Sequence, residues 1–135
     1  MATDRGARLS TTARLFLGLG SVSALLAVAL GAFGAHALHG RTPAELLPLY
    51  QVGVQYHLVH ALGVLVVGLA AVQLPASRLV KWAGWLMLAG TLLFSGSLYV
   101  LAMSGMRAVG IVTPFGGVAF LGAWTVLAIA VFKAR

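Results

Sequence analysis

The chain has 135 residues, of which 61% are hydrophobic and only 8% charged, with four histidines, no cysteine and a net charge of +7. A soluble domain carries about a quarter charged residues, so this composition, with a mean hydropathy of +1.02, describes one membrane domain. The lack of cysteine excludes disulfides, thiolate metal sites and cysteine nucleophiles. The two carboxylates, Asp4 and Glu45, lie outside the apolar runs, which excludes carboxylate-pair hydrolysis and carboxylate proton relays through the membrane.

Residues 1–14 are polar and basic and are expected to form a loosely ordered tail. A first apolar run from about Leu15 to Leu38 follows. Arg5, Arg8 and Arg14 ahead of it, with Ala35-His36-Ala37 at its end, imitate a signal peptide with a small-residue cleavage site. The run is longer than a typical signal core, which favours a retained span. Ser23, Ala27, Gly31 and Ala35 recur every four residues along it, a small-residue seam for close helix packing.

In the loop that follows, Thr42-Pro43-Ala44-Glu45 has the form of a capping box with proline at the first helical position. It predicts a short surface helix interrupted or kinked at Pro48. A second apolar run extends from about Val52 to Leu74, and a third from about Trp82 to Met103, the latter with Gly84, Gly90, Ser95, Gly96 and Ser97. The fourth extends from about Ala108 to Phe132. Its Thr113-Pro114-Phe115-Gly116-Gly117 predicts an irregular entry at 108–113, with Thr113 as a helix cap and the glycines, like Gly96, at packing contacts. Each run is near or above the roughly 20 residues that cross about 30 Å of hydrocarbon. Backbone polar groups cannot stay unpaired in lipid, so the expected fold is an all-α bundle of four transmembrane helices over residues 15–135.

Arg5, Arg8, Arg14, Arg78, Lys81, Lys133 and Arg135 fall on the side of the termini, and only Arg41 and Arg107 on the other. This bias places both termini in the cytoplasm of a bacterium, with the protein multi-pass in the inner membrane. The basic residues stand singly at the ends of apolar runs and make no continuous face, so nucleic acid is rejected as a partner.

The histidines come as two pairs, His36/His39 and His57/His60, each three residues apart, a spacing that shares a helix face. With the topology above, His36, Tyr56, His60, Ser95, Ser97, Tyr99 and Thr113 all fall in the outer half of the membrane, while the inner half is almost purely apolar. Such a cluster could ligate a metal or haem iron, carry protons, or bind a quinone or lipid headgroup. Interhelical hydrogen bonding is the default use of these residues and needs no ligand.

Leu30-Gly31-Ala32-Phe33-Gly34-Ala35-His36-Ala37-Leu38 resembles the signature of the domain of unknown function 423 family, small four-helix membrane proteins that include YgdD-like and YwdK-like bacterial proteins and a mitochondrial relative. Tyr56 with His60-Ala61-Leu62, Leu93-Phe94-Ser95-Gly96-Ser97-Leu98-Tyr99, Thr113-Pro114 with Gly116-Gly117, and Gly122-Ala123-Trp124 continue the pattern in order. The resemblance implies four transmembrane helices and no known enzymatic activity. It also keeps His36 and His60 as motif positions and leaves His39 and His57 outside the motif, which speaks against a four-histidine metal site.

The chain is therefore expected to be a non-catalytic structural, assembly or accessory component of a membrane complex. It would have no cofactor, with the lipid bilayer and either another membrane protein or a second copy of itself as partners. The alternative is a small-molecule, quinone or haem binder using His36 and His60, in which His60→Ala but not His57→Ala abolishes function. A transporter or proton path ranks third, since no ionisable residue reaches the inner half.

Overall fold

Four helices follow one another in the computed structural model, which describes residues 8–134: α1 (Thr11–Ala37), α2 (Leu47–Gln73), α3 (Arg78–Ser104) and α4 (Thr113–Lys133). A 3-10 turn, Arg107–Ile111, leads into α4. The first three helices have 27 residues each, and the 3-10 turn with α4 spans another 27. At 1.5 Å per residue each reaches about 40 Å, against about 30 Å of hydrocarbon. All four are long and apolar enough to cross a membrane, so the chain is a multi-pass membrane protein.

The helix starts differ from the sequence-based reading in ways that capping explains. Residues 11–14, expected in the tail, already belong to α1, because the Ser10 hydroxyl accepts the Ala13 amide at 3.2 Å and starts the helix four residues before the apolar run. Ser77 does the same for α3 through the amide of Val80. The Arg5 and Arg135 expected on the side of the termini lie outside the described residues.

The first connection holds no separate surface helix. Residues 44–46 make one turn, closed by the Leu46 amide on the Pro43 carbonyl at 3.0 Å, and α2 begins at Leu47. Pro48 sits in the first turn of α2, where its missing N–H has no helical acceptor to lose, so it starts the helix instead of kinking it. Pro114 starts α4 in the same way. Thr113 is the first residue of α4 and makes no capping bond; the irregular entry expected at 108–113 is the 3-10 turn. Gly105 closes α3 with φ 71°, a left-handed conformation that favours glycine.

The short connections at 38–46, 74–77 and 105–112 make neighbouring helices antiparallel. The first and third define a loop end, and the second lies with the termini at a terminal end. α2 and α3 pack on each other, α1 packs on α2, and α4 on α3. The terminal half holds an apolar core drawn from all four helices, including Ala13, Phe16, Val67, Met87, Ala123 and Leu127. A smaller cluster of Leu38, Tyr50, Tyr99 and Ala102 closes the loop half.

Glycines set how closely the helices approach. Gly20 of α1 faces Leu65 of α2, and Gly68 of α2 faces Leu17 of α1, a reciprocal exchange of one leucine for one glycine. Gly34 seats the ring of Tyr50, Gly84 that of Phe16, and Gly90 that of Phe120. The buried face of α1 reads Ala13, Phe16, Gly20, Ser23 and Ala27, in alternating steps of three and four, and then Gly34 after seven. This spacing averages 3.5 residues, the period of left-handed helix packing. A strict four-residue step drifts around the helix, and Ala35, expected on the seam, is accordingly exposed while Gly34 takes the contact.

Candidate functional site

The expected site residues other than His36 separate into four local links between helices instead of one cluster. The first link crosses three helices. The His57 ring on α2 bonds Ser23 Oγ of α1 through Nε2 at 3.1 Å and the Tyr99 hydroxyl of α3 through Nδ1 at 3.0 Å. Nearby, the Tyr50 hydroxyl donates to the Leu30 carbonyl of α1 at 2.6 Å, and its ring lies 5.0 Å from that of Tyr99.

The second link centres on His60. Trp124 Nε1 of α4 donates to His60 Nε2 at 3.1 Å. An indole nitrogen can only donate, so His60 accepts there and carries its hydrogen on Nδ1, which donates to the Tyr56 carbonyl at 2.7 Å. The bond from α4 thus fixes the tautomer. The imidazole also stacks on Phe120, with centroids 3.4 Å apart and planes 10° from parallel. Tyr56 stands at the edge of this aromatic group, half-exposed, with its ring 4.6 Å from Phe94.

The remaining two links use hydroxyls. Ser95 Oγ of α3 donates to the Gly53 carbonyl of α2 at 2.7 Å. Ser97 Oγ shares a hydrogen bond with Thr113 Oγ1 of α4 at 2.6 Å and also donates to Phe94 of its own helix. Thr113 is therefore engaged with α3, which explains why it does not cap α4. Among the described residues, no buried side-chain nitrogen or oxygen lacks a partner.

His36 is not part of any of these links. It is exposed in the last turn of α1, as His39 is in the connection beyond it. From Leu47 to His60 is 13 residues of α2, about 20 Å along the axis, so the pair His36/His60 is split between the loop end and the interior. His57, set aside by its motif position, is buried and bonded on both sides. The three-residue spacing of His57 and His60 also misleads. Three residues advance a helix by 300°, leaving the rings 60° apart, and this difference is enough to turn one toward α1 and α3 and the other toward α4.

Trp124, Tyr50 and Phe120 were missed as site residues. Trp124 had a usable signal, since an indole N–H at membrane depth needs an acceptor. Of the expected packing glycines, Gly116 lies against the Phe94 backbone, while Gly117 makes only ordinary contact and Gly96 faces open space.

Both ring nitrogens of His57 and of His60 are engaged, so a metal would have to displace an interhelical bond at either. Among the described residues there is no group of three or more His, Cys, Asp or Glu placed to hold an ion. Two clefts flank these links. One, about 520 Å³, lies beside Tyr56, His60 and Trp124 between α2 and α4. The other, about 500 Å³, lies between α1 and α3 over the Ser23–His57–Tyr99 link.

Comparison with known proteins gives a consistent family. Residues 30–117 match the family described as "Protein of unknown function (DUF423)". The chain is 49% identical over 120 residues to the UPF0382 membrane protein YwdK of Bacillus subtilis, covering 89% of this chain and 98% of that one. It is 43% identical to the UPF0382 membrane protein SERP0230 of Staphylococcus epidermidis and 42% to SAB0533 of Staphylococcus aureus, each over 89% of this chain and 97% of the relative. No solved structure matches. The segment matched by the family contains His57, His60, Ser95, Ser97, Tyr99 and Thr113, and the chain belongs to this DUF423 family of membrane proteins of unknown function.

Proposed function

We propose that the chain is a non-catalytic accessory or assembly component of a membrane complex, inserted with both termini in the cytoplasm. The observation that carries this reading is that Ser23, His57, His60, Ser95, Ser97, Tyr99 and Thr113 are engaged with other helices of the same chain. A nucleophile or general base needs a free lone pair aimed at a substrate, whereas these groups hold the bundle together. The apolar core of the terminal half also argues against a path across the membrane, because water and ions find no polar atoms among its side chains.

A bundle held rigid in this way offers its outward faces to a partner. Leu25 on α1 and Leu121 on α4 are both largely exposed, and a photoreactive amino acid at either position tests for contact in native membranes. A single discrete protein adduct at one of the two positions is the expected result. Adducts with lipid alone at both positions would remove the accessory role. Orientation has a separate test, since the chain has no cysteine of its own. His39→Cys should react with an impermeant maleimide on intact cells, and Ala76→Cys only after permeabilisation. The reverse pattern contradicts the charge bias on which the orientation rests.

A further inference from the structure

The cleft between α1 and α3 is walled by apolar side chains, among them Leu26, Leu30, Leu88 and Leu92, and has Ser23, His57 and Tyr99 along its floor. A count of hydrogens makes this floor unusual. Ser23 carries one hydroxyl hydrogen, a neutral imidazole one N–H, and Tyr99 one hydroxyl hydrogen. The link Ser23–His57–Tyr99 contains two hydrogen bonds, so one of the three hydrogens is always left over. The tautomer of His57 decides where.

With the hydrogen on Nε2, the ring donates to Ser23 and accepts from Tyr99, and the spare hydrogen belongs to Ser23. A serine in a helix can turn that hydrogen back onto the carbonyl four residues earlier, as Ser21 does onto Leu17 at 2.8 Å. With the hydrogen on Nδ1, Ser23 donates to Nε2, the ring donates to Tyr99, and the spare hydrogen belongs to Tyr99. Tyr99 lines the cleft, and hydrocarbon offers this hydroxyl no acceptor. The link is thus a donor that can be presented to the cleft or withdrawn from it.

The depth of the link selects what would accept that hydrogen. From Leu47 to His57 is ten residues of a 27-residue helix, so His57 lies about 15 Å from the helix start and, for a centred span, about 10 Å inside the hydrocarbon. The ester carbonyls of a glycerolipid stay at the boundary and would bring only methylenes to this level. A fatty-acid carboxylate is costly so deep. A quinone head is uncharged, carries carbonyl acceptors and sits within the hydrocarbon. Beyond the link the cleft continues along α3 from Tyr99 to Trp85, 14 residues or about 21 Å, long enough to hold the tail that follows such a head.

We propose that the cleft between α1 and α3 is a binding site for a long-tailed quinone, whose carbonyl takes the hydrogen of the Tyr99 hydroxyl while His57 changes tautomer beneath it. Gly96 keeps the wall open: a Cβ added there meets nothing within 4 Å, and the residue borders the cleft.

The test uses the full chain in phosphatidylglycerol nanodiscs, with the ring nitrogens of histidine labelled and decylubiquinone as the probe. Saturable binding is expected, and it should interchange the protonated and unprotonated nitrogen signals of His57 while those of His60, held by Trp124, stay in place. Tyr99→Phe keeps the ring and removes the donor, and should weaken binding about tenfold, the loss expected for one buried hydrogen bond. Gly96→Leu fills the cleft and should abolish binding; should it fail to fold, Leu92→Trp at an outward cleft position serves the same purpose. Palmitic acid should not move the His57 signals. Non-saturable partitioning, wild-type affinity in both the Tyr99→Phe and cleft-filling variants, or an equal response to palmitic acid would each overturn the site.

Discussion

Gly116→Ala is expected to destabilise the bundle by about 1–3 kcal/mol or more, the cost of overpacking at a contact that cannot yield, whereas Gly117→Ala next to it should be nearly neutral. A Cβ at residue 116 would overlap the backbone nitrogen of Phe94 and meet its Cα at 2.8 Å and Cβ at 2.7 Å. Backbone atoms in the middle of α3 cannot move aside without separating the two helices. A Cβ added at Gly90 would in turn meet the Gly116 carbonyl at 3.1 Å, so α3 and α4 are in backbone contact here. At Gly117 the nearest neighbour is the Phe94 ring at 3.9 Å, an ordinary contact. Reversible unfolding in mixed micelles, followed by circular dichroism, measures both variants. A Gly116→Ala protein as stable as the Gly117→Ala one would mean that the two helices are not in backbone contact there. The same shift also predicts lost order at the Ser97–Thr113 bond, one turn away on the same interface.

These two glycines also mark the boundary of what the sequence could reveal. The four spans were legible because crossing about 30 Å of hydrocarbon requires roughly 20 apolar residues, a property each segment carries alone. Ser10 and Ser77 were not read as caps, since apolar run length says nothing of where hydrogen bonding begins. Whether a glycine packs, however, depends on which residue of another helix faces it. Gly116 and Gly117 are adjacent and chemically identical, and only the rotation of α4 against α3 distinguishes them. The histidines fail in the same way. Topology places a residue only in one half of the membrane, so His36 is grouped with His60, which lies about 20 Å deeper, and motif position, which says nothing of rotation, leaves His57 out. Ser95, Ser97, Tyr99 and Thr113 lie at helix interfaces, as polar atoms at membrane depth must be paired whichever helix provides the partner.

His57→Ala is expected to cost about 1–3 kcal/mol, while His36→Ala should stay within about 0.5 kcal/mol of the parent, the reverse of what motif membership implies. The alanine removes two interhelical bonds at once and leaves Ser23 and Tyr99, both buried, without their shared partner. Single interhelical bonds in membrane proteins average only about 0.6 kcal/mol, so loss of the bonds alone would approach the lower limit. The orphaned hydroxyls raise the cost, because no water reaches them in hydrocarbon. This has a consequence that a simple packing defect would not share. Tyr99→Phe in the His57→Ala background removes one of the orphaned groups and should recover part of the loss, giving a coupling of about 0.5–3 kcal/mol in a double-mutant cycle. Additive effects would mean that His57 and Tyr99 contribute independently and that the bond between them carries no weight in the bundle. Stability of the four proteins in the same micelles decides the matter, and His36→Ala shows what the loss of an exposed imidazole does by itself.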